Sequence, residues 1–120
     1  MFINLSNHPS ANWSMEQIEA ARRLSGEIVD LPFPDIDPAG DETYIAALAD
    51  DYCRKVLEIS GNENVVVHLM GEMTLTFALV QRLCMHSIPC VASTTERVTV
   101  EYADGRKESM FQFVHFRKYE

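Results

Sequence analysis

The chain predicts an α/β domain, a mostly parallel open sheet with helices on both faces and a C-terminal β-hairpin. Short apolar runs alternate with longer stretches whose apolar residues recur at helical spacing. Val65-Val66-Val67 is a continuous β-branched run, as a strand buried on both faces requires. From Val98 the period changes to two, and Asp104-Gly105 supplies a hairpin turn. Helical connections between the first four strands imply parallel pairing with right-handed crossovers.

The first strand is expected over Met1–Leu5. The first helix runs from about Ser14 to Ser25, with Ser14 as N-cap, Gln17 at capping-box spacing and Gly26 as the stop. Its apolar positions are Met15, Ile18, Ala21 and Leu24. A second strand over Glu27–Leu31 precedes Pro32–Pro38, where three prolines in seven residues forbid regular helix or central strand. Phe33 and Ile36 inside that loop point to a segment pinned to the body. The second helix is expected over Glu42–Ser60, ended by Gly61, with Tyr44, Leu48, Tyr52, Val56 and Ile59 as its apolar stripe. A third strand, Asn64–Leu69, turns through Met70–Thr74 into a helix reaching about His86. The fourth strand, Ile88–Ala92, is followed by a loop, Ser93–Arg97. The hairpin then runs through Val98, Val100 and Tyr102 and returns through Met110, Gln112, Val114 and Phe116, at an edge or as a projecting arm.

The 120 residues make one domain, long enough to bury a core without disulfides or metal. No apolar run reaches membrane-spanning length, and no secretory signal pattern opens the chain, so the cytoplasm is its expected location. Cys53, Cys84 and Cys90 have neither metal-ligand nor disulfide-framework spacing, and each is expected to be a small buried hydrophobe. A formal charge of −8 argues against duplex DNA or long RNA as partner. It leaves room for a small anion held by helix N-termini and one or two arginines.

Three segments that follow strands one, three and four carry the polar chemistry. Ser6, Asn7, His8 and Ser10 form the first; Gly71, Glu72 and Thr74 the second; Ser93, Thr94, Thr95, Glu96 and Arg97 the third. Loops beyond the carboxyl ends of parallel strands share one face, where ligands bind and where helix N-termini favour an anion. Each segment also has a purely structural reading. Ser6–Pro9 reads equally as a hydrogen-bonded turn, and Gly71 as close helix–strand packing. Glu72 either caps the helix or takes a ribose hydroxyl. Arg97 grips phosphate or pairs with Glu96 or Glu101. Thr94 and Thr95 satisfy local backbone or a ligand. Trp13 stacks on a base or, as burial tendencies favour, anchors packing. His8 is an acid–base candidate by residue type. No dinucleotide fingerprint or phosphate loop occurs.

Together, Phe2–Pro9, Met70–Thr74 and Ser93–Arg97 resemble the small stand-alone CRISPR-associated proteins of the ring-nuclease group. The resemblance implies a Rossmann-like fold related to CARF domains, a homodimer, and binding of a cyclic oligoadenylate such as cyclic tetra-adenylate. It implies ring opening without a cofactor or metal, by attack of a ribose 2′-hydroxyl on its neighbouring phosphate. Ser6, Asn7 and His8 would then line the ring site, with His8 giving acid–base help. Gly71, Glu72 and Thr74 would present helix-terminal N–H groups, and Thr94, Thr95 and Arg97 would hold phosphate. Few basic residues stand near the phosphates besides Arg97. A protein that only sequesters or senses the messenger, or an interaction protein without a nucleotide, are the alternatives.

Overall fold

Phe2–Ser6 is buried along its whole length and forms β1, an interior strand. A computed structural model describes residues 1–120. β2 (Ile28–Asp30), β3 (Val66–Met70), β4 (Cys90–Glu101) and β5 (Lys107–Lys118) complete a sheet of order β2-β1-β3-β4-β5. The first three pairings are parallel, and β4 with β5 is antiparallel. The helices are α1 (Met15–Ser25), α2 (Glu42–Ser60) and α3 (Met73–Met85). The caps are local. Ser14 Oγ accepts from Gln17 N–H, Asp41 from Tyr44 N–H, and Gly26 and Gly61 close α1 and α2. No helix is long and apolar enough to cross a membrane.

Strand alternation sorts β1 into two faces. Ile3 and Leu5, with Val67 and Leu69, meet Leu75, Leu79 and Leu83 of α3 and Ala49, Cys53 and Val56 of α2 in the main core. The three α3 leucines are fully buried, each stabilising by about 1.5–3 kcal/mol. Phe2 faces the other way, onto Ala21 of α1, with Val91, Trp13 and Phe116 around it. The α2 stripe is displaced from the expected one. Ala49, Cys53, Val56 and Ser60 are its buried residues, because small side chains let α2 lie close beside α3. On α1 only Ala21 is buried, while Met15 and Leu24 are exposed. Cys53 and Cys90 are buried as expected, but Cys84 is exposed on α3.

The largest departure is Ser93–Arg97, which is strand rather than loop. β4 pairs with β3 only at Cys90 and Val91, then continues with β5 alone to Glu101↔Lys107. β-branched Thr94, Thr95, Val98, Thr99 and Val100 suit that ladder. A bulge between Thr94 and Thr95 breaks the register. The result is a projecting two-stranded arm. It gives the chain a radius of gyration of 16.2 Å, against about 14 Å for a compact domain of this length.

The proline-rich loop is pinned as expected. Leu31 N–H donates to Asn4 O at 2.8 Å and Phe33 N–H to Ser6 O at 3.2 Å. The Phe33 ring then lies over Gly71, where an added Cβ would stand 2.4 Å from it. Because Phe33 is itself buried, the ring has little room to give. Gly71→Ala is expected to cost about 1–3 kcal/mol by overpacking. The check is a lower denaturant midpoint at unchanged slope, and an unmoved midpoint would contradict it.

Candidate functional site

The face of the sheet under α1 carries a row of polar side chains where a core row would ordinarily be apolar. Asp30, Asn4 and His68 stand opposite one another on β2, β1 and β3, and Ser93 follows on β4. Asn4 and His68 are each 2% exposed. Asn4 Nδ2 donates to His8 O and to Asp30 Oδ1, both at 2.8 Å. Both partners are acceptors only, so the amide orientation is determined. Asn4 Oδ1 therefore accepts, from Ser6 Oγ at 2.7 Å and from His68 Nδ1 at 2.9 Å. His68 must carry its proton on Nδ1, which leaves the Nε2 lone pair facing Ser93 Oγ at 3.2 Å.

Burial, with a smaller contribution from the nearby His8, pushes His68 down to about 4. The imidazole is thus neutral at physiological pH. Phe2 stacks on it, with ring centroids 6.3 Å apart, and Trp13 and Phe116 meet it edge-on at 5.3 and 5.5 Å. Trp13 Nε1–H donates to His8 O at 3.1 Å, so the indole is a packing anchor and also a wall.

Above this row lies an open cleft of about 930 Å³ between α1 and the arm. It sits beyond the carboxyl ends of β1 and β3, where the chain order in the sheet reverses. His8, Trp13, His68, Ser93, Thr95 and the arm residues Phe111 and Phe113 line it, and so does Glu16, but no lysine or arginine does. A larger groove, about 1480 Å³, runs along α3 on the opposite face and is lined chiefly by apolar residues such as Phe77, Val80 and Met85. It holds no comparable polar row.

Of the expected site residues, His8, Ser93 and Thr95 meet in the cleft, with Ser6 buried behind them. Asn7 is exposed on the loop and is not part of the lining. Ser10 begins a 3-10 turn and holds Asp30, through N–H at 3.2 Å and Oγ at 2.9 Å. The second segment does not join the first. Gly71 packs under Phe33 and borders the α3 groove, and Thr74 lies in a shallow groove beside α2. Glu72 caps α3. Its carboxylate accepts from the N–H groups of Thr74 and Leu75 and from the Thr74 hydroxyl, which holds its pKa below the usual carboxylate range. Those N–H groups already serve a carboxylate, so they offer no free anion seat. Thr94 Oγ1 exchanges hydrogen bonds with the His115 backbone across the bulge. Arg97 extends along the arm and donates to Ser109 Oγ at 3.2 Å, pairing with neither Glu96 nor Glu101. Its cross-strand partner is Phe111 of the cleft wall, so the two side chains share a face.

Asn4, Asp30 and His68 escaped the reading of the sequence as site residues. The available signal was a polar residue at a core position of an apolar strand. The model described as "Uncharacterized protein MJ1673 family" matches residues 1–117. The chain belongs to the MJ1673 family. No curated protein and no solved structure was found to match it. The family match runs from Met1 through Arg117, so the polar row, the cleft and nearly all of the arm lie within this MJ1673-family segment.

Proposed function

We propose that the chain binds a cyclic oligoadenylate, cyclic tetra-adenylate foremost, in the cleft between α1 and the arm, and opens the ring without a metal. The observation that carries this reading is the convergence of His8, Ser93 and Thr95 with the rings of Trp13, Phe111 and Phe113 in one cleft. Adenines stack on aromatic faces whatever their edges contact. Hydroxyl and imidazole donors suit phosphate and ribose oxygens. The sheet reversal at β1 and β3 suits a Rossmann-like, CARF-like domain with its ligand at that point. Arg97, two residue pairs beyond Thr95 and Phe113 and opposite Phe111 of the cleft wall, is the cation on the arm proposed for phosphate. Exposed Phe111 and Val114 on the arm, beside the cleft, offer apolar surface for a second copy. A homodimer would let a ring lie across the two-fold axis and contact both clefts.

One observation favours a second reading. With no lysine or arginine in the cleft lining, developing charge on phosphorus has few stabilisers, and a protein that only sequesters the messenger needs none. A time course with cyclic tetra-adenylate in EDTA separates the two. Linear product supports ring opening. Tight binding with intact ligand leaves sequestration, and absence of binding removes both.

A further inference from the structure

We propose that His68 and Ser93, oriented by Asn4 and Asp30, form a proton relay whose cleft-facing end, the Ser93 hydroxyl, takes the proton of the attacking ribose 2′-hydroxyl. The inference rests on the cyclic-nucleotide reading and names the groups that would do its chemistry. Three features of the geometry carry it. First, the hydrogen-bonded row is continuous: Asp30 Oδ1 to Asn4 Nδ2 at 2.8 Å, Asn4 Oδ1 to His68 Nδ1 at 2.9 Å, and His68 Nε2 to Ser93 Oγ at 3.2 Å. Second, its polarity is forced. The amide fixed by His8 O and Asp30 can only accept from Nδ1, so Nε2 can only accept from Ser93. Third, the buried ring is reached from the cleft beside Ser93, which is half-buried in its wall. This is a hydroxyl, a base and an orienting group in hydrogen-bond reach, recognised by roles rather than sequence order. Ser93 Oγ also lies 3.1 Å from Met70 Sδ, but a thioether is the weaker acceptor. The bulge one residue further on re-aims the strand at this place, as bulges beside active sites do.

In the reaction the 2′-oxygen bonds to its neighbouring phosphorus as its proton passes to Ser93 Oγ. The proton of Ser93 passes to His68 Nε2 only transiently, because burial disfavours the charged ring. The bond from phosphorus to the 5′-oxygen of the next nucleotide breaks, and that oxygen takes a proton from water. Loss of the proton from His68 back through Ser93 to solvent resets the relay. The products are a 2′,3′-cyclic phosphate and a 5′-hydroxyl, with no net water consumed. Ser93 is the catalytic residue, His68 the base behind it, and Asn4 and Asp30 are positioning residues. His8, on an exposed loop, is outside the relay.

The test measures binding and ring opening separately for wild type, Ser93→Ala and Ser93→Thr with cyclic tetra-adenylate. Ser93→Ala should bind within about threefold of wild type yet open the ring at least ~100-fold more slowly. Ser93→Thr, which keeps a hydroxyl, should restore most of the rate. If wild type opens the ring and Ser93→Ala matches it, the relay falls and the cyclic-nucleotide reading stands. Parallel losses in binding and rate also overturn it, making Ser93 a ligand contact. If wild type binds but opens no ring, the relay falls and sequestration stands; if it does not bind, both readings fall with the relay. Long-range nitrogen–proton NMR of the ligand-free protein supplies a readout apart from activity. His68 should show the Nδ1–H tautomer at neutral pH, and a proton on Nε2 would overturn the relay.

Discussion

Between pH 6.5 and pH 4 the wild-type chain loses about 3 kcal/mol of folding stability that a His68→Gln variant keeps. Folding takes the imidazole from water into the row between Asn4 and Ser93, and burial there holds its pKa down to about 4. The unfolded chain binds a proton near the ordinary histidine value, so below it the unfolded state carries more protons than the folded one. Stability therefore rises with pH across this window. The contribution is complete above the unfolded pKa and is lost as pH falls through the folded one. Other groups add their own acid dependence, so the quantity to measure is the difference between wild type and variant in denaturant midpoints across the range. Parallel curves for the two proteins would show that His68 titrates normally and that the buried row is misread.

Asn4→Leu should cost about 2–4 kcal/mol, although leucine is apolar and branches at the same atom. Asn4 sits at the junction of four hydrogen bonds, to His8 O, Asp30, Ser6 and His68. Its loss falls unevenly on them. Ser6 keeps an approach to His8 O at 3.3 Å, His8 O keeps Trp13, and Asp30 keeps Ser10. His68 Nδ1–H keeps nothing on that side and is left buried without a partner. Leaving one such group unpaired costs more than deleting both members of a pair. Adding His68→Phe to Asn4→Leu should then recover a substantial part of the loss, since Phe2, Trp13 and Phe116 already surround that ring. A double-mutant cycle reads the coupling, and strict additivity would mean that the two side chains do not share a bond.

Much of the fold is legible where it depends on neighbours in sequence. Ser14 with Gln17, and the glycines at 26 and 61, mark helix ends by bonds made within one turn. Val65–Val67 marks a buried strand, though β3 itself begins at Val66 and runs on to Met70. Asp104-Gly105 marks the hairpin turn, where Gly105 takes φ +88°. Ser93–Arg97 is the instructive failure. Its serine, threonines and charges are loop residues by composition, yet their backbone groups are satisfied by β5, whose residues lie about twenty positions away. Glu72 shows the opposite case. Either of its readings fitted its place before a helix, and the bonds to Thr74 and Leu75 decided for the cap.

By itself the chain determined its alternation of strands and helices, its capped helix ends, its turn-linked hairpin and the polar character of the segment after β1. These follow from hydrophobic period and from hydrogen bonds that close within a few residues. Only the tertiary structure decided that Asp30, Asn4, His68 and Ser93 stand in one line, that Gly71 belongs to Phe33, and that Arg97 rides on an arm. Strand order and register set which residues become neighbours across a sheet. A shift of a single residue would have turned His68 to the opposite face, into the company of the α3 leucines.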